Sequence, residues 1–112
     1  MTGVTARAQN RRDFTVTAHK YAYVVTGSAT PEIRVQQDDL VHVTFSTDDI
    51  PHSFTTVETE PHYRINRRAE PGKPVSFDFR ADKVGKFPIK CTLAIDERCR
   101  ELEAWLVVEA RK

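Results

Sequence analysis

The chain has 112 residues, 39% hydrophobic and 29% charged, with 17 basic side chains against 16 acidic ones. That is one domain's length, enough to bury a core without a metal or disulfide as an obligatory staple. So even a charge balance argues against the basic face of a nucleic-acid binder, and no apolar run reaches membrane-spanning length.

Taken in chain order, residues 1–12 are polar, lack the apolar stretch of a secretory signal, and read as a flexible leader. Arg11-Arg12, like Arg67-Arg68 further on, reads as solvated surface. From residue 13 onward the apolar positions repeat every two residues, the period of a half-buried strand. Phe14, Val16 and Ala18 alternate with Thr15 and Thr17, and Ile33-Arg34-Val35 is a shorter candidate. Val41, Val43 and Phe45 alternate with His42, Thr44 and Ser46, which puts His42 on the solvent register; His42 and His19 are read as structural. Val75, Phe77 and Phe79 alternate with Ser76, Asp78 and Arg80. Phe87 to Cys91 alternates too, with Pro88 marking an edge position or a strand start. Ala104 to Glu109 is a final strand, apolar on both faces, with Trp105 expected in the core.

Turn chemistry separates these runs. Gly27 to Pro31, Gln37-Asp38-Asp39, Glu70-Pro71-Gly72-Lys73-Pro74 and Asp82 to Gly85 are rich in Gly, Pro or Asp. The only helical candidate is a turn or two over Asp96 to Glu103, capped by Asp96. The fold class is therefore all-β, a sandwich or barrel of short strands, and residues 13–110 form the domain.

Chemistry is concentrated in His52, within Asp48-Asp49-Ile50-Pro51-His52-Ser53-Phe54, and in Cys91 and Cys99. Imidazole with thiolate is a soft donor set that suits copper, and two thiolates with one imidazole favour Cu(I). Eight residues apart, the same cysteines can instead close a disulfide, which would contribute on the order of 2–3 kcal/mol. The two readings exclude each other in any one molecule at any one moment, and both stand at this point. His62 lies in a loop and reads as surface, although it could approach the end that carries His52. Asp96, Glu97 and Glu101 read as capping and solvated positions. Ser53 adjoins His52, but strand neighbours point to opposite faces, so the pair is not a nucleophile and its base. With four glycines in the chain there is no phosphate-cradling loop. No enzymatic activity is expected.

The order of these pieces resembles a cupredoxin, the Greek-key β-sandwich of blue copper proteins, and most of all the soluble copper-bearing domain of cytochrome c oxidase subunit II. The resemblance runs from about Phe14 to Ala110. It rests on the histidine before Ser53-Phe54, the turn Glu70 to Pro74 leading into Val75 to Phe79, and Ala81-Asp82-Lys83-Val84-Gly85-Lys86-Phe87 approaching a cysteine. The family then uses a short ligand loop and a terminal strand. Where the oxidase domain has a second cysteine, a histidine and a methionine, this chain has Ile95, Cys99 and Leu102, and no histidine follows His62. Only His52 and Cys91 carry over residue by residue.

What the resemblance implies is one copper ion held by His52 and Cys91; Cys99 is the candidate second thiolate, and Glu103 or His62 a candidate additional ligand. It implies electron transfer or copper holding and delivery, a redox or copper-trafficking protein as partner, and a periplasmic or otherwise extracytoplasmic location. The competing expectation is a metal-free sandwich of the same fold that serves as an interaction module, with Cys91–Cys99 as a structural or redox-active disulfide.

Overall fold

The computed structural model describes residues 10–56, 62–94 and 97–111. Nine strands among them form two sheets. The first has the order β2-β1-β4-β7, from β1 (Arg11–His19), β2 (Ala22–Val25), β4 (Leu40–Thr47) and β7 (Val75–Arg80). The second has the order β3-β9-β8-β5-β6, from β3 (Glu32–Gln36), β5 (His52–Thr55), β6 (Asn66–Ala69), β8 (Gly85–Lys90) and β9 (Glu103–Glu109). Both sheets are mixed: β1 runs parallel to β4 and β3 parallel to β9, and the other pairs are antiparallel. The expected all-β sandwich is the observed one.

The two-residue period decides which face is inside. Val41, Val43 and Phe45 in β4 are at most 1% exposed, while His42, Thr44 and Ser46 are half-buried on the opposite face. Val16 and Ala18, Ile33 and Val35, and Leu106 and Val108 supply the same inward rows from β1, β3 and β9. Phe45, Phe54 and Phe77 meet edge to face at 5.6 and 5.1 Å, so the two sheets interlock through aromatic rings.

The turns fall where Gly, Pro and Asp predict them. Gly72 holds a φ of +77° at the tip of a turn closed by the Glu70–Lys73 bridge. Gly85 opens β8 with the Phe87 ring so close that a Cβ would sit 2.8 Å from it. The buried Asp39 carboxylate accepts from the Gln36 N–H at 2.9 Å and from Arg111 at 2.6 Å, tying the β3–β4 turn to the end of β9.

Four details differ from the sequence reading. Pro88 is in the interior strand β8, between β9 and β5, not at an edge; among the described residues β5 meets β8 at Thr55 opposite Lys90. Trp105 is not in the core. In β9 it alternates outward from Ala104 and Leu106, half-buried, with Lys86 Nζ 4.6 Å from its ring centre. β2 and β6 are strands without a clean alternation to announce them. β1 begins at Arg11, two residues inside the expected leader of residues 1–12; residues 1–9 lie outside the described residues, as do Ile95 and the expected cap Asp96. The helical turn itself is present as a 3-10 turn over Glu97–Glu101. No described helix is long and apolar enough to cross a membrane.

Candidate metal centre

The candidate site forms where the start of β5 passes the end of β8. Asp48 to Pro51 carry the chain from the first sheet to the second, so His52 does not follow a strand end but opens β5, fully buried. β5 and β8 are antiparallel, which brings the first residues of β5 against those just beyond Lys90. His52 Nδ1 lies 4.0 Å from Cys91 Sγ, and the Ser53 N–H donates to the same sulfur at 3.4 Å. Cys99, in the 3-10 turn, is bonded to Cys91 as a disulfide with the Cα atoms 5.3 Å apart. Both cysteines are buried.

Asp49 sets the other side of the histidine. Its carboxylate takes the His52 Nε2 at 3.0 Å, together with the N–H groups of Ile50 and Lys20, each at 2.6 Å. Burial alone would raise this carboxyl; the two backbone donors and the His52 ring outweigh it and hold it down to about 2. An ionised carboxylate only accepts. Nε2 is thus the nitrogen carrying the proton, and in the neutral ring the bare Nδ1 faces the sulfur. Sequence reasoning passed over Asp49, although a carboxylate three residues before a candidate histidine was a usable signal.

Below the histidine, Ser53 works as a stitch. Its Oγ accepts from the Thr92 N–H at 2.8 Å and contacts Thr55 Oγ1 at 3.0 Å, and its carbonyl accepts from the buried Tyr23 hydroxyl. Burial pushes the Tyr23 phenol up, so it stays a donor. Over the 3-10 turn, Arg98 stacks on the Tyr21 ring at 4.1 Å and forks onto Glu101 at 2.8 and 3.0 Å.

The other sequence candidates are elsewhere. His62 bonds Asp82 at 2.7 Å and holds that carboxyl below its usual range. Asp82 precedes β8 while Cys91 follows it, so His62 and His52 stand at opposite ends of one strand. Glu103 opens β9 on the outward register and pairs with Lys90 at 3.6 Å. Glu101 is taken by Arg98. His42 pairs across strands with Asp78 at 2.6 Å on the outer face.

The site as it stands brings a disulfide and an imidazole nitrogen together. With the sulfurs joined, no group of three or more His, Cys, Asp or Glu side chains disposed to hold a metal ion occurs among the described residues.

The Asp49 geometry predicts a pH dependence. The folded carboxyl titrates below its unfolded value of about 3.9, so the stability it contributes is complete above about pH 5 and is lost as pH falls from there toward about 2. Urea midpoints measured from neutral pH downward are expected to fall more steeply for the wild type than for Asp49→Asn. Parallel curves would mean that the fold does not favour the ionised carboxylate.

No family model matches this chain, and no curated protein matches it. Solved structures do. A chain of a heme-copper terminal oxidase dimer superposes with a TM-score of 0.76 at 17% identity, covering 91% of this chain and 66% of that one. The periplasmic domain of subunit II of cytochrome oxidase (CoxB) of Bradyrhizobium japonicum gives 0.72 at 15%, covering 88% and 83%. CoxB in a mixed-disulfide intermediate with a thioredoxin-like protein gives 0.68 at 16%, covering 88% and 81%. The blue copper oxidase of Nitrosomonas europaea gives 0.65 at 20%, covering 92% of this chain and 40% of that one. At such identities the likeness is one of fold, and the fold of this chain is cupredoxin-like.

Proposed function

We propose that this domain is an extracytoplasmic, non-enzymatic copper holder whose site is switched by its own disulfide. The observation that carries the reading is the aim of His52: buried, with Nε2 fixed by Asp49 and Nδ1 turned to Cys91 Sγ at 4.0 Å. Any buried imidazole needs a partner for its N–H; here that partner also fixes which nitrogen faces the sulfur. The occurrence of the same fold in copper oxidases, and of CoxB in a mixed disulfide with a thioredoxin-like protein, supports it.

In the disulfide form the sulfurs offer no thiolate. A dithiol protein would open the site by thiol–disulfide exchange. Its thiolate attacks one sulfur, the other leaves as a thiolate, and the partner's second thiol resolves the mixed disulfide. Two electrons and two protons pass to Cys91 and Cys99, and the partner ends oxidised. Deprotonated Cys91 and Cys99 and the lone pair of His52 Nδ1 then form the holding set, while the Tyr23 and Ser53 contacts keep β5 in place. Copper bound there would be held as Cu(I), the ion that two thiolates and an imidazole select.

The second reading is a metal-free module of the same fold, and the Cys91–Cys99 bond favours it. Native mass spectrometry after anaerobic Cu(I) exposure separates the two. One copper per reduced chain, none on the oxidised chain, and none on the His52→Ala, Cys91→Ser double variant is the expected result. Asp49→Ala is expected to weaken copper binding by about 10–100-fold. No copper on the reduced chain, with the untreated chain lighter by two hydrogens, would leave the stapled module as the function.

A further inference from the structure

We propose a second, separate site: the cleft between the edge strands β6 and β7 binds a small, flat organic carboxylate. The cleft has a volume of about 220 Å³ and is walled by Tyr63, Phe77 and Phe79, with Arg64, Asn66 and Arg67 around them. It opens where the last strand of one sheet lies against the last strand of the other.

The charge in it is unspent. Arg11, Arg12, Arg34, Arg68, Arg80, Arg98 and Arg111 all pair with carboxylates. Arg64 and Arg67 do not pair with any carboxylate among the described residues, although both line the cleft. Arg67 stands opposite Phe54 in the β5–β6 register, so it shares the face of a core residue. Its guanidinium lies 5.6 Å from the centre of the Phe77 ring. Arg64 holds a φ of +53°, a backbone conformation that residues other than glycine rarely adopt. The residue after it, Ile65, is pinned to Thr56, its carbonyl accepting from the Thr56 N–H at 2.8 Å and its N–H donating to Thr56 Oγ1 at 3.0 Å. Asn66 accepts from Thr55 Oγ1 at 3.2 Å through its carbonyl oxygen, which leaves its amide N–H groups as donors.

These features together specify the ligand. Two guanidinium forks suit the two oxygens of a carboxylate. The rings suit a planar apolar body; Tyr63 is fixed edge to face against Phe79 at 5.6 Å and anchored by its hydroxyl to Lys83, so the wall is preformed. A cleft below the size of a drug-binding pocket limits the guest to about one ring. The carboxylate of Asp78, also at the cleft, is engaged by His42 on the outer face of β7. An inward charge on an edge strand also blocks pairing with other chains. That accounts for Arg67 but neither for Arg64 nor for the aromatic cavity.

The test is an amide chemical-shift titration of the whole chain with benzoate at constant ionic strength, with acetate and benzylamine in parallel. Saturable benzoate shifts confined to residues 64–67 and 77–79 are expected, with acetate at least about tenfold weaker and benzylamine inert. Arg64→Gln and Arg67→Gln, both on exposed positions, should each weaken benzoate about tenfold or more. No saturable shift in the wild type, acetate equal to benzoate, or variants that bind like the wild type would each overturn the proposal. The copper measurement is independent of all of these outcomes.

Discussion

Phe54→Ala is expected to destabilise the domain by about 3–5 kcal/mol, the usual range for emptying a buried phenylalanine site. The ring is 1% exposed and belongs to β5 of the second sheet. Its neighbours are Phe77 at 5.1 Å, Phe45 at 5.6 Å and Tyr23 at 6.5 Å, all from the first sheet. Truncation therefore removes the contact between layers as well as apolar area, and rigid sheets on both sides cannot collapse into the void. Domains of this size are stable by about 5–15 kcal/mol in all, so the variant should sit near the folding threshold. Urea denaturation monitored by the single tryptophan, Trp105, reads the loss directly. A loss below about 1 kcal/mol would mean that the aromatic cluster repacks and is not the lock between the sheets.

Removing the cross-link with Cys91→Ser and Cys99→Ser together is expected to cost about 2.5 kcal/mol, the chain-entropy value for so short a loop. That corresponds to a fall in Tm of roughly 10 °C. Serine at 91 retains an acceptor for the Ser53 N–H that now points at the sulfur, so the pair isolates the effect of the bond. Reduction of the wild type should reproduce the loss, and Cu(I) added to the reduced wild type should recover part of it by binding the folded form alone. An unchanged Tm on substitution would show that the loop is held by other contacts, among them Arg98 stacked on Tyr21 and forked onto Glu101. If reduced wild-type protein regains nothing with Cu(I), the copper reading fails while the disulfide reading survives.

Much of the sandwich was legible because a half-buried strand writes its orientation into alternate residues. The rows Val41-Val43-Phe45 and Val16-Ala18 needed no tertiary knowledge to be placed inward. β2 and β6 were not legible for the opposite reason. Ala22-Tyr23-Val24-Val25 exposes a valine beside a buried one, and Asn66-Arg67-Arg68 is polar throughout, since an edge strand need bury only one flank. Trp105 was misplaced because β9 is apolar on both faces, and periodicity cannot choose a side when both are apolar.

The site divides along the same line. The residue types and their order singled out His52, Cys91 and Cys99 as candidates and set an all-β architecture of short strands; the cupredoxin likeness came from resemblance and is matched by the fold. Donor chemistry and strand patterning are local properties. Only the tertiary structure decided that Cys91 and Cys99 are joined, that Asp49 fixes the His52 ring with Nδ1 toward the sulfur, and that His62 and Glu103 are turned to other partners. Those outcomes depend on which strand ends meet across the sheets. The register of β5 on β8 and the fold-back of the Cys91–Cys99 loop set them, and both are contacts between segments far apart in the chain whose spacing in sequence carries no record of distance.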